Sequence, residues 1–304
     1  MKIIKKISLT LLIVLVFTSV AGYIYFEQKF TPDKNYLIVA NESGKIPLTW
    51  IGADKNGLLL PIHILGNKKT YYLQFDTGSP YTILYAKSIS TIKGITVNKN
   101  TAKTSFTLGK TKITSTSFKM YDYQVENNKN DTLKIIGTLG SDLLENRKTI
   151  INFKENNIIF NIQKFPTSVQ KKLFNFTFKK RKIIINGLLK GKSEKFLFDT
   201  GTSAFELLTN KNVWNNLKND NATISIEKSK SLQNILTTFT ANCNQKIKFN
   251  TKEVALKKVT YVEGFSQTQY LLMKFSGMTG MLGNKIFLNN IIYIDSEKNK
   301  IAIE

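Results

Sequence analysis

The sequence predicts an all-β protein built from two related, barrel-like lobes with a cleft between them. Three observations lead there. Two short segments nearly restate each other, Phe75-Asp76-Thr77-Gly78-Ser79 and Phe198-Asp199-Thr200-Gly201-Thr202. A second block downstream of each is also repeated, and β-branched and aromatic residues recur between turn signals with little helical periodicity.

Each aspartate stands at the end of an expected β-hairpin. Ile62 to Leu65, the turn Gly66-Asn67-Lys68-Lys69 and Tyr71 to Phe75 lead into Asp76. Ile183 to Leu189, the turn Lys190-Gly191-Lys192-Ser193 and Lys195 to Phe198 lead into Asp199. Downstream, Gly137-Thr138-Leu139-Gly140 precedes the apolar runs Thr149 to Asn152 and Ile158 to Phe160. Gly280-Met281-Leu282-Gly283 precedes Ile292 to Asp295 and Ile301 to Ile303 in the same way, and the blocks align without a gap when Gly140 is set on Gly283. Repetition over that length implies two copies of one structural unit. The aspartates stand 123 residues apart and Gly140 and Gly283 stand 143 apart, so the second copy is 20 residues longer. The surplus falls between Asn219 and Ala241, a polar, charge-bearing stretch, and one short helical turn is expected at Asn212 to Leu217.

The ends and joints follow. Residues 1–26 form an anchor or signal segment: Lys2, Lys5 and Lys6 precede an uncharged run from Ile7 to Phe26. That run has the length of about 20 residues a membrane-crossing helix needs. Tyr23-Ile24-Tyr25-Phe26 continues past the small residues Ser19-Val20-Ala21, which favours an uncleaved anchor over a cleaved signal and a secreted product. The leading lysines favour a cytoplasmic start and place the remainder outside the cytoplasm. Residues 27–54 read as a membrane-proximal spacer and first strand, 55–165 as the amino-terminal lobe and 166–304 as the carboxyl-terminal lobe.

Composition removes several chemistries. Cys243 is the one cysteine and His63 the one histidine among 304 residues, so an internal disulfide and a thiolate-cluster zinc site are excluded. Cys243 reads as a small buried apolar residue and His63 as a packed strand residue. The net charge is +23, with lysines scattered rather than gathered on a recognition motif. Nucleic acid is therefore not the expected partner, and a solvated basic surface is.

On these residues the chain resembles the pepsin-like aspartic peptidases, which carry an Asp-Thr-Gly-Ser/Thr loop in each lobe and a later apolar stretch ending in glycine behind it. The resemblance spans about residues 55 to 304. It implies a catalytic pair of Asp76 and Asp199. Thr77 and Thr200 would cross-link the loops, and Gly78 and Gly201 would let backbone approach the carboxylates. Ser79 and Thr202 would donate to the outer carboxylate oxygens, and Gly140 and Gly283 would pack behind. It further implies a monomer acting on polypeptides without metal or cofactor. Two departures stand out. Thr138 replaces an expected apolar residue, and no Tyr or Trp lies between Ala86 and Lys119, where the family carries a tyrosine on a hairpin flap. Ile95 to Phe106 reads as a reduced flap, with Tyr121 or Tyr123 as alternatives reaching inward. A catalytically silent peptide- or partner-binding protein is the competing expectation.

The anchor is tested by fractionation. Full-length protein is expected to stay with membranes through a high-salt wash, since salt screens charge and leaves apolar insertion intact. Release by salt alone would assign retention to the basic surface instead.

Overall fold

The computed structural model describes residues 2–123, 133–231, 234–264 and 276–304, with the side chains of 2–14 and 229–234 outside that description. The chain divides into two units, residues 1–34 and 35–304. The first is one helix, α1 (Lys2–Phe30), longer than the expected segment and ending past Lys29. Much of the run Ile7 to Phe26 lies outside the described side chains, and among the described residues no helix is long and apolar enough to cross a membrane.

The second unit is mainly β. Its first part carries β1 (Ile38–Ala40), β2 (Ile46–Pro47), β3 (Thr49–Ile51), β4 (Gly57–Ile64), β5 (Thr70–Asp76) and β6 (Ile83–Tyr85). After the short helix α2 (Ala86–Ile89) come β7 (Thr96–Asn98), β8 (Thr101–Leu108), β9 (Thr111–Tyr121) and β10 (Ile135–Gly140). A 3₁₀ turn at Ser141–Leu144 leads to β11 (Lys148–Asn152) and β12 (Asn157–Ile159). The turn α3 (Thr167–Gln170) then opens the second part, with β13 (Phe174–Asn175), β14 (Thr177–Lys179), β15 (Lys182–Leu189), β16 (Lys192–Phe198) and β17 (Leu207–Thr209). It continues through α4 (Lys211–Leu217), β18 (Ile224–Ser231), β19 (Asn234–Phe249), β20 (Lys252–Glu263) and β21 (Gly280–Leu282). A 3₁₀ turn at Asn284–Phe287 precedes β22 (Ile291–Asp295) and β23 (Lys300–Ile303).

The repeat seen in the sequence is a repeat of topology. The central order β6-β10-β5-β4 of the first sheet returns as β17-β21-β16-β15 in another. The senses match pair by pair: β10 runs parallel to β5 as β21 does to β16, and β6 parallel to β9 as β17 does to β20. Both hairpins that deliver the aspartates are antiparallel, β4–β5 and β15–β16. A third sheet, in the order β13-β23-β22-β11-β12-β2, joins the halves through the antiparallel pair β11–β22. The all-β class is therefore observed.

Burial follows strand alternation. In β5, Tyr71, Leu73 and Phe75 are buried, which turns Tyr72, Gln74 and Asp76 to the opposite face. In β16, Phe196 and Phe198 point into the core and Asp199 emerges on the other side. Edge-to-face contacts of Phe75 with Phe160 (5.6 Å) and Phe198 with Phe287 (5.2 Å) pack beneath the two loops.

Several local expectations change. Residues 27–54, expected as a spacer and first strand, divide: α1 runs on to Phe30, and from Ile38 onward β1 pairs with β9, β2 with β12 and β3 with β4, so that stretch is woven into two sheets. The surplus of the second copy is hairpin. There β18 and β19 form eight pairs, whereas β7 and β8 form three. His63 lies on β4 as expected but faces solvent, because the buried positions of that strand are its neighbours Ile62 and Ile64. Cys243 is buried and donates to the Leu256 carbonyl, and burial pushes its thiol up to about 12.

Candidate active site

Each Asp-Thr-Gly loop is closed first by its own aspartate. The Asp76 Oδ1 accepts from the N–H groups of Gly78 (2.8 Å) and Ser79 (3.1 Å), and Asp199 Oδ1 accepts from Gly201 N–H (2.8 Å). Asp side chains readily close such turns on their own backbone. The loops are then tied to each other. Thr77 N–H donates to Thr200 Oγ1 (2.9 Å) and Thr200 N–H donates to Thr77 Oγ1 (3.0 Å). The Thr77 hydroxyl donates onward to the Phe198 carbonyl (3.0 Å), and the Thr200 hydroxyl to the Phe75 carbonyl (2.8 Å). Four bonds thus join the halves directly under the aspartates, two between the threonines and two from them to opposite carbonyls, and neither threonine has exposed surface.

Glycine permits the remaining approach. A Cβ at Gly78 would stand 2.6 Å from both carboxylate oxygens of Asp199, and one at Gly201 would stand 2.5 Å from Asp76 Oδ1. Any side chain there would push the partner carboxyl away. Behind the loops, a Cβ at Gly140 would meet the Tyr81 carbonyl at 2.3 Å and one at Gly283 the Thr202 carbonyl at 2.1 Å. These glycines let β10 and β21 lie against the backs of the loops.

The consequence is a closely spaced pair of acids. Asp199 is 8% exposed, Asp76 is half-buried, and the two carboxyls stand close enough to share one N–H donor. Gly78 N–H also donates across to Asp199 Oδ1 (3.1 Å). Burial, followed by the Asp76 charge, holds the Asp199 carboxyl well above the usual carboxylate range. The charge of one carboxyl held this close to another opposes ionisation of its neighbour.

Two hydroxyls do not go where the resemblance assigns them. Ser79 Oγ donates to the Tyr81 carbonyl (2.8 Å), and Thr202 Oγ1 donates to the Asp199 carbonyl (2.8 Å). Both satisfy loop backbone rather than the outer carboxylate oxygens, so the donors that do reach the carboxylates are N–H groups. Thr138, standing where the resemblance expects an apolar residue, shares a hydrogen bond with the Tyr85 hydroxyl (2.7 Å). Tyr123 meets the Tyr85 ring edge-on at 5.1 Å, while Tyr121 remains 53% exposed.

Two further residues at the site belong to the basic run Lys179-Lys180-Arg181-Lys182. Arg181, 4% exposed, pairs with Glu145 (3.1 Å) and donates to the Pro80 carbonyl (3.2 Å), bracing the first loop from the second half. Lys182 donates to the Gly78 carbonyl. Counting the hairpin register back from Asp199 would have singled out Lys182. Asp142, buried behind the first loop, accepts from Thr82 N–H (2.7 Å), Thr82 Oγ1 (2.7 Å) and Leu143 N–H (3.0 Å). Burial pushes its carboxyl up to about 6 against those donors and against the charge of Arg181.

No protein-family model matches the chain, and no curated protein matches it.

The cross-links make a measurable claim. Thr200→Val removes two of the four bonds and leaves the buried Thr77 N–H without its acceptor, which costs about 2–4 kcal/mol. Urea unfolding should report that loss; a change below about 0.5 kcal/mol, the range of an uninvolved site, would mean the loops are held by packing alone.

Proposed function

We propose that the chain is an aspartic endopeptidase with the two-lobed pepsin-like fold, hydrolysing peptide bonds through a water activated between Asp76 and Asp199. The observation that carries this reading is the carboxyl pair itself, gathered around one shared N–H, that of Gly78, by two loops that are cross-linked beneath it. Such a pair holds a base and an acid at once. The ionised member takes a proton from the water as its oxygen attacks the scissile carbonyl carbon. The protonated member donates to the carbonyl oxygen as the tetrahedral intermediate forms. Collapse of that intermediate breaks the C–N bond, and a proton passes to the departing amine. No metal, cofactor or covalent intermediate enters these steps.

The neighbours have supporting roles in this reading. Thr77 and Thr200 fix the distance between the carboxyls, Gly78 and Gly201 keep it open, and the glycine N–H groups hold the carboxylate oxygens. The substrate is a polypeptide in extended conformation, lying across the pair. The protein acts as a monomer, since both carboxyls belong to one chain. It is held at the membrane by residues 1–26 with the remainder outside the cytoplasm, the secreted form being the alternative. A second reading, a silent peptide-binding protein, is favoured by the short β7–β8 hairpin, which carries no Tyr or Trp.

One experiment separates them. Full-length protein in detergent is incubated with a mixture of unfolded polypeptides, and new amino termini are read by mass spectrometry over a range of pH. Hydrolysis is expected to follow a bell. The acid limb falls as the single carboxylate is protonated. The upper limb falls as the pair loses its remaining proton, a loss delayed to higher pH because burial and the Asp76 charge raise Asp199. Asp76→Asn and Asp199→Asn should each remove at least about 99% of the rate, as loss of a general acid–base group does. Peptide retention without cleavage would establish the silent reading, and substantial cleavage by Asp199→Asn would exclude the shared-proton mechanism.

A further inference from the structure

The two halves repeat strand for strand, yet they differ at the position facing each aspartate. In the first half the register Leu59↔Gln74 of β4 and β5, continued to the strand ends, sets Gly57 opposite Asp76. In the second, the register Ile183↔Phe198 of β15 and β16, continued by one residue, sets Lys182 opposite Asp199. Cross-strand partners share a face, so the Lys182 side chain is on the side of the sheet from which Asp199 emerges. Its Nζ crosses to the first half and donates to the carbonyl of Gly78, the residue whose N–H contacts both carboxylates.

We propose that Lys182 is a positioning residue for the carboxyl pair: its ammonium ion stabilises the ionised pair and locks the first loop against the second half. A cation within a few ångströms of a carboxylate lowers its proton affinity, the more so where water is excluded. The surroundings leave this role to Lys182. Arg181, next in the chain, is paired with Glu145 at 3.1 Å and lies behind the loop beside Asp142. Lys179, its partner across β14, is exposed to solvent. Tyr85 on β6, within electrostatic reach of Asp76, carries a hydroxyl that burial keeps protonated. The acidic groups acting on Lys182 are Asp199 and Asp76, whose charges oppose the tendency of burial to strip its proton. A singly protonated pair and one ammonium form a neutral cluster.

The effect on the pair stands independently of activity; its consequence for catalysis rests on the peptidase reading above. The experiment is an NMR titration of the full-length protein in micelles, with ¹³C-labelled aspartate and the pair assigned through Asp76→Asn and Asp199→Asn. In Lys182→Met both steps of the pair should move up by about one pH unit, and in Lys182→Arg, which keeps the charge, by less than half as much. Asp199→Asn supplies the reciprocal readout, because the Lys182 ammonium, with one anion gone, should release its proton at lower pH than in the unaltered protein. An unchanged titration in Lys182→Met, or equal shifts with Met and Arg, would overturn the proposal. If the pair shifts as expected while the unaltered protein cleaves nothing, Lys182 keeps this role and the peptidase reading falls. If cleavage occurs, both limbs of its pH profile should move with the titration.

Discussion

The interaction on which the site depends is the reciprocal hydrogen bonding of Thr77 and Thr200. Two acidic side chains repel once ionised, and burial penalises that charge further. Their proximity must therefore be imposed by bonds that do not involve the carboxyls. The threonines supply such bonds: each accepts from the other's N–H and donates to the carbonyl preceding the opposite aspartate. Because all four bonds are buried, breaking one leaves an unpaired group where water does not reach, and the loops move together or not at all. The rest of the fold supplies the frame: Phe75 and Phe198 anchor the strand ends, and the joining pair β11–β22 holds the halves in one unit.

Duplication gives the pair its symmetry, and departures from symmetry give each carboxyl a different environment. Asp199 is more deeply buried than Asp76 and faces Lys182 where its counterpart faces Gly57. Hairpin length is also unequal, with eight pairs in β18–β19 against three in β7–β8. Unequal surroundings of this kind are what give chemically identical acids different proton affinities.

Much of this was legible in the sequence because the informative residues are local. The hairpins around Gly66 and Gly191, the aspartates at their ends and the glycine blocks at Gly140 and Gly283 all declare themselves within a few residues, and their repetition exposes the topology. What was hidden depends on pairings across the fold. The β18–β19 hairpin carries exposed apolar residues such as Ile226 and Ile235, so no buried face stamps a period on it. The hydroxyls of Ser79 and Thr202 had a carboxylate and a carbonyl within reach of the same turn, and only the folded geometry decides between them. Lys182 was masked by the basic run around it, although hairpin register pointed to its place beside Asp199. His63 faces solvent because alternation along β4 buries its neighbours.

The central claim is that Asp76 and Asp199 hold one proton between them. Neutron diffraction from deuterated crystals grown at mildly acidic pH locates that proton directly. The account predicts a single deuteron lying between the facing carboxyl oxygens of Asp76 and Asp199. Two deuterons, one on each carboxyl, or carboxyls turned apart with none between them, would contradict it.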